Sequence, residues 1–170
     1  NSAQVLATKS ALILRNGSVV ATDGSSDVSF ALPADDYFIA LRHRNHLGIM
    51  TQNAQALSSA ASLKNLANGS INLFGGFAAA TIDVGGTNCM WMGDALRNSE
   101  VKYTGTNNDR DPILTRVGGS VPTATLPGYF TEDCNMDGLV KYTGTVNDRD
   151  PILTAVGGTV PTNTRLAQLP

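Results

Sequence analysis

Asp133, Asn135 and Asp137 stand at alternate positions in "DCNMDGLV" (133–140), and Gly138 follows them. Oxygen-bearing side chains at that spacing can all be aimed into one curled loop, and the glycine permits the sharp turn after them. A hard cation such as calcium takes roughly six to eight oxygens in a flexible cage, so the triplet points to a calcium site. The carbonyl of Leu139 fits the next ligand position, and Val140 fits the apolar position that ties paired loops together. A standard loop of about twelve residues closes on an acid, but the residue at that position is Gly144. The spacing predicts that "YTGT" (142–145) lengthens the loop and that Asp148 supplies the closing oxygen. Asp150 is a second candidate, engaged mainly in capping a helix. Magnesium suits the set less well, because it demands stricter geometry and fewer protein ligands. The competing reading is an ordinary Asx-rich turn without an ion.

The loop lies inside an internal repeat. "VKYTGTNNDRDPILTRVGGSVPT" (101–123) matches "VKYTGTVNDRDPILTAVGGTVPT" (140–162) at 20 of 23 positions, at an offset of 39. Such self-similarity means one structural unit used twice, here as a pair packed face to face. Each copy predicts an extended "VKYTGT" segment and then a short helix. Asp150 before Pro151 reads as an N-cap with proline at the first helical position. Ile152, Leu153 and Val156 give the apolar face, Gly157-Gly158 stop the helix, and "TVPT" leaves in extended form. Asp111, Pro112, Ile113, Leu114, Val117 and Gly118-Gly119 repeat the pattern. A helix of about two turns cannot stand alone and must bury its face against the other copy or the rest of the chain. In the first copy Asp94 aligns with Asp133, but Leu96 replaces Asn135, Asn98 replaces Asp137 and Ser99 replaces Gly138. The first site is therefore expected to be degenerate and empty, with Asp94, Asn98, Asp109 and Asp111 as its remaining oxygens.

Residues 1–86 read as a separate, all-β domain, and 87–170 as the repeat module, with copies at about 94–123 and 133–162. "ALILRNGSVVAT" (11–22) is two β-rich runs around Asn16-Gly17, a hairpin signal. "DVSFAL" (27–32) alternates, and so do Tyr37, Ile39 and Leu41, with "LGIMT" (47–51) continuing or returning. "SINLFG" (70–75) and "FAAATIDV" (77–84) flank Gly75-Gly76, and 52–68 reads as a loop with a late strand. Short strands at this spacing predict a β-sandwich. The fold class expected is thus mainly β with short helices: a sandwich followed by the tandem repeat.

The 170 residues carry a net charge of -2, which offers no basic footprint for nucleic acid. No apolar run is long enough to span a bilayer. Charged residues are scarce, a composition that suits an extracellular β-rich protein. The chain starts at Asn1 without a signal peptide, so a processed product or a piece of a longer chain is expected. Cys89 and Cys134 allow one disulfide or two idle thiols, and they are too few for a four-cysteine zinc site.

"DCNMDGLV" followed by a short helix, in tandem, resembles the dockerin repeat, a paired calcium-loop module of secreted proteins. The longer pattern, "MGDALRNSEVKYTG", "NDRDPILTRVGGSVPT", "EDCNMDGLVKYTG" and "NDRDPILTAVGGTVPT", resembles the C-terminal region of large secreted and cell-surface proteins of the Bacteroidota. "YFIALRHRNHLGIMT" (37–51) resembles the segment that precedes it in that family, so the resemblance covers most of residues 37–170. It implies an extracellular, non-enzymatic module of a long surface protein, often exported by the gliding-associated secretion route. The family usually has a full acidic set in the first loop, and this chain departs from it there. In residues 1–86 the order strand, glycine turn, strand, "LP-x-x-x-Y", strand resembles the small prealbumin-like or carboxypeptidase-regulatory-like sandwiches.

"RHRNH" (42–46) offers His43 and His46, which could ligate a metal, or a basic cluster for an anion or sugar. On a strand running into a turn the two imidazoles would fall on opposite faces, which favours a polar strand end facing the repeat module. No nucleophile, acid/base pair or phosphate loop accompanies them. Trp91 reads as core at the seam between domains, with a sugar platform as the other reading. "NGS" at 16–18 and 68–70 match a glycosylation sequon. The expected function is a non-catalytic anchoring or structural module, at the cell surface, stabilised by one calcium ion. Its partner would be protein, either the upstream part of the same protein or copies of itself. A filament or sheath subunit, using a "TRLAQLP" (164–170) exchanged strand, is the alternative, and a glycan-binding module a third.

Overall fold

The computed structural model describes residues 2–170. The chain is mainly β with three short helices. In order come β1 (Leu12–Ile13), β2 (Val19–Val20), β3 (Asp35–Tyr37), β4 (Ala40–His43), β5 (His46–Met50) and β6 (Gln55–Leu57). Then follow α1 (Phe77–Ala80), β7 (Thr81–Val84), β8 (Thr87–Met90), β9 (Glu100–Lys102), α2 (Arg110–Arg116) and β10 (Thr125–Pro127). The chain ends with β11 (Leu139–Lys141), α3 (Arg149–Ala155) and β12 (Thr164–Leu166).

Among the described residues the strands pair only two by two, in six antiparallel ladders. No layered sandwich stands in residues 2–86. The hairpin about Asn16-Gly17 forms, with Leu12 opposite Val20 and the Asn16 side chain accepting the Ser18 amide. Its side chains, however, stay largely in solvent, as do Phe30 and Leu32, and 27–32 is not a strand. The first buried residue of the described chain is Asn45. Alternation alone does not bury a face: the ladders here are too short to offer a surface on which a second layer could pack. Residues 77–84 are also not one strand. Phe77–Ala80 wind into a helical turn, and β7 pairs with β8 across Gly85-Gly86 rather than with 70–75. The expected boundary at 86/87 therefore falls inside a hairpin.

The repeat, by contrast, is realised as a reciprocal pair. β9 of the first copy pairs with β12, which follows the second copy, while β11 of the second pairs with β10, which follows the first. Thr125 faces Lys141, and its counterpart Thr164 faces Lys102. Thr104 donates to the Pro161 carbonyl, and Thr143 to that of Pro122. α2 packs on β11, α3 on β9, and the helices on each other. Ile113, Ile152, Val101 and Val140 are fully buried at the centre of this exchange, joined by Leu47 from β5. Each such aliphatic side chain contributes about 1.5–3 kcal/mol by leaving water. The C-terminal segment is thus used within the chain: β12 is paired, Gln168 bridges Ile49, and Leu169 lies against Gly48.

The helices begin two residues earlier than the Asp-Pro pairs suggest. Asp150 is not the cap; the Asn147 side-chain oxygen Oδ1 accepts the Arg149 and Asp150 amides, and Asn108 Oδ1 does the same for Arg110 and Asp111. Proline then sits in the first turn, where its missing N–H costs no helical bond. Gly118-Gly119 and Gly157-Gly158 all have positive φ and end the helices, with the Gly119 and Gly158 amides reaching back to Leu114 and Leu153.

One turn ties the two parts together. β4 and β5 close on Arg44-Asn45, and Asn45 is 0% exposed. Its carbonyl accepts the Gly93 and Asp94 amides at 2.9 and 3.1 Å, and its Nδ2 donates to the Thr131 and Asp133 carbonyls at 3.1 and 2.6 Å. A single side chain and its backbone thereby hold the start of both copies. Asn45→Ala leaves two buried carbonyls without their donor, each worth about 1–3 kcal/mol. Urea unfolding is expected to show a loss of at least about 2 kcal/mol; a loss within 0.5 kcal/mol, the order of an ordinary surface substitution, would contradict this role.

Candidate functional site

The second loop runs from Asp133 to Asp148, and its acids meet the backbone. Asp133 is 1% exposed and Asp148 0%. Asp148 accepts the Cys134 amide at 2.7 Å and the Asn135 amide at 3.2 Å on Oδ1, and the Lys141 amide at 2.7 Å on Oδ2. Asp148 thus ties the amides at the loop's start to the amide of β11, a contact with backbone in place of the cation ligation expected from the spacing. Asp133 accepts the Asp137 amide on Oδ1 and the Gly138 amide on Oδ2, both at 3.1 Å. Its Oδ2 also faces the Arg44 guanidinium at 3.1 Å. Asn135 Oδ1 accepts the Asp137 amide, and Asp137 Oδ1 accepts that of Leu139. Asn135 is half-buried, Asp137 is exposed, and Leu139 lies in β11. Asp150 stays at the helix, held by Asn147 Nδ2 at 2.9 Å.

The first loop repeats the buried half of this arrangement. Asp94 accepts the Asn98 and Ser99 amides at 2.9 and 3.0 Å. Asp109 accepts the Leu96 amide at 3.1 Å and the Lys102 amide at 2.8 Å. Asn98 does not reach Asp109; its oxygen accepts the Glu100 amide. Asp111 holds Asn108 Nδ2 at 2.8 Å. So the acids shared by the copies each bridge amides of their own loop. The residues that differ, Leu96 for Asn135 and Asn98 for Asp137, sit on the rim. Among the described residues no three His, Cys, Asp or Glu side chains gather as a metal-binding group.

Burial raises the acids against the pull of these amides. Asp109 is pushed up to about 7 and Asp148 to about 6, and Asp94 is raised as well. In each, desolvation is the largest cause. Neighbouring charge adds to it, from Asp94 at Asp109 and from Asp133 at Asp148. Burial also raises the Cys134 thiol well above its usual range, and both cysteines are free thiols.

Three features near the loop come from "RHRNH" (42–46), which the sequence offered as a histidine pair, a basic cluster or a polar strand end facing the repeat module. Arg44 donates to the Phe130 carbonyl as well as to Asp133, and its guanidinium lies 3.9 Å over the Tyr129 ring. Asn45 is the buried tie described above. His43 and His46 are not on opposite faces: they are cross-strand partners, with Nδ1 atoms 2.9 Å apart. The local signal for the turn itself is the asparagine of "RHRNH", a turn former between two alternating runs. Trp91 packs against the repeat core, donates Nε1 to the Ala79 carbonyl, and has the Arg165 guanidinium 3.6 Å over its ring.

Between pH 4 and 7 the raised acids hold protons more tightly in the folded chain than in the unfolded one, where aspartate titrates near 3.8. Their contribution to stability is therefore full below that value and is lost as pH rises through about 6 and then about 7. Urea midpoints in chelator are expected to fall between pH 5 and 8; a midpoint that rises over this window would contradict the burial of Asp109 and Asp148. No protein-family model, curated protein or solved structure matches the chain.

Proposed function

We propose that the chain is a non-catalytic structural module of a secreted surface protein, in which a dockerin-like pair of loop–helix units holds one calcium ion in the second loop. One observation carries this reading: the first loop closes with Leu96 and Asn98 where the second has Asn135 and Asp137. The rim side chains of the second loop are therefore not needed for closure; Asn135 Oδ1 and Asp137 Oδ1 each accept one amide and keep a further lone pair for a cation. Asp133, Asn135 and Asp137, with the Leu139 carbonyl and water, would form its coordination. Arg44 already stands on one oxygen of Asp133, and Asp148 already accepts three amides. Both reduce what those acids offer, so the affinity expected is that of extracellular modules, about 10⁻⁴–10⁻³ M. The ion's chemistry here is structural: it offsets buried carboxylate charge and stabilises the native state by mass action. The scarcity of charged side chains supports an extracellular setting. The partner would be protein, the rest of a longer surface chain.

A second reading is a self-assembling subunit. It is favoured by the 2–34 segment, which holds no buried residue and exposes Val5, Leu6, Ile13 and Phe30. Its β1–β2 ladder has open edges that another copy could extend. The 164–170 tail is a weaker candidate for exchange, because β12 already pairs with β9. Light scattering separates the two, since assembly makes the mass depend on concentration.

Calorimetric titration of the chelator-stripped chain at pH 7.5 is expected to show one calcium site, lost in Asp137→Ala. At ten times the dissociation constant calcium should add about 1.4 kcal/mol of stability. No binding at about 10 mM calcium, well above the range of extracellular modules, would contradict the ion; the loop would then be closed by amides alone.

A further inference from the structure

The hairpin that docks on the repeat places three side-chain nitrogen and oxygen atoms together. His43 Nδ1 and His46 Nδ1 are 2.9 Å apart, and His46 Nδ1 is 2.9 Å from Asn45 Oδ1. Asn45 is also a hydrogen-bond partner of His43. The orientation of the Asn45 amide is set by its other end, where Nδ2 donates to the Thr131 and Asp133 carbonyls. Its oxygen must therefore face the imidazoles. A ring nitrogen carries either a proton or an in-plane lone pair. Protons on both Nδ1 atoms would set two N–H groups against each other at 2.9 Å, so the pair holds one Nδ1 proton at most, and on His46 that proton is shared between His43 Nδ1 and Asn45 Oδ1.

We propose that His43, His46 and the side-chain carbonyl of Asn45 form a binding site for a late first-row divalent metal, copper(II) above the others. Metal–nitrogen bonds of about 2.0–2.1 Å meeting at a right angle span about 2.9 Å, whereas a tetrahedral angle spans about 3.3 Å. The observed separations, which are also those of the hydrogen bonds that hold the three groups without an ion, match adjacent corners of a tetragonal site, the geometry of copper(II) and nickel(II) with nitrogen and oxygen donors. Copper binds such donors most strongly in the divalent series. Proton competition is weak at neutral pH: His46 is held down to about 4 and His43 is also lowered, in both cases chiefly by burial. The adjacent Arg44 charge is offset by Asp133 at 3.1 Å. A cavity of about 590 Å³, lined by His43, Arg44, Tyr129, Asp133 and Met136 among others, opens beside His43.

The test is electron paramagnetic resonance, continuous-wave and pulsed, on the full chain without an affinity tag. Cys89→Ser keeps the half-buried thiol from reducing the metal. The chain has 2 histidines, so imidazole coupling can come only from this pair. One equivalent of copper(II) is expected to give a single tetragonal signal coupled to two imidazoles. His43→Gln should leave at most one imidazole and weaken binding by about tenfold or more. Copper that stays free, or binds with one imidazole or none in the parent, would overturn the site. Because the parent spectrum decides by itself, a variant that fails to fold does not shelter the proposal.

Discussion

A buried carboxylate that binds backbone amides at both ends of its own loop is the constraint on which the repeat module depends. Asp109 and Asp148 each join the amide of a loop's beginning to the amide of the strand that leaves it, and Asp94 and Asp133 hold the turn between. Four residues at the offset of the repeat thus fix the same backbone path twice. The rest follows from that path. Once closed, each loop presents a short strand at a fixed place, and the strand of one copy can pair with the exit strand of the other. The two short helices then bury Ile113 and Ile152 in the space between, where neither would hold its shape alone.

The arrangement carries an electrostatic cost that the fold meets in different ways. In the first loop no cation among the described residues forms a salt bridge with Asp94 or Asp109, the Arg97 charge acts on Asp94 only weakly, and both acids are pushed toward the protonated form. In the second, Asp133 has Arg44, brought from a hairpin far away in sequence. Asp148 has amides only and is raised. A calcium ion at the rim of the second loop would act on this imbalance, which links the proposed chemistry to stability rather than to catalysis. The Arg44-Asn45 turn links the sections in the same way: its asparagine satisfies carbonyls at the second loop and amides at the first.

Much of the repeat was legible in the sequence, and the physical reason is that its signals are local. The offset of 39, the Ile-Leu-x-x-Val helical face and the paired glycines all act within a few residues of where they stand. The sequence singled out Asp148 as a cation ligand, because the loop's length left few acids in reach, but gave no sign that it binds amides of Cys134, Asn135 and Lys141. The helix cap was misplaced because an Asp-Pro pair and an Asn three residues earlier give competing local signals. The sandwich was not realised because Val28, Phe30 and Leu32 alternate without anything to bury them, and periodicity carries no information about a partner layer. Arg44 and Asn45 escaped for the opposite reason. Their partners lie 86 to 89 residues away, and no local pattern announces such a pairing.

The central claim, that Asp109 and Asp148 lock the loops through amides, is tested most directly by residue-resolved hydrogen exchange. The amides of Lys102, Cys134 and Lys141 are the three that these two acids hold at 2.8 Å or less. The account predicts that all three exchange only through global unfolding, at the rate of the Ile113 and Ile152 helical core. Exchange of these amides at the rate of the exposed rim residues, such as Met136, would contradict it and would mean the loops are held by the strands alone.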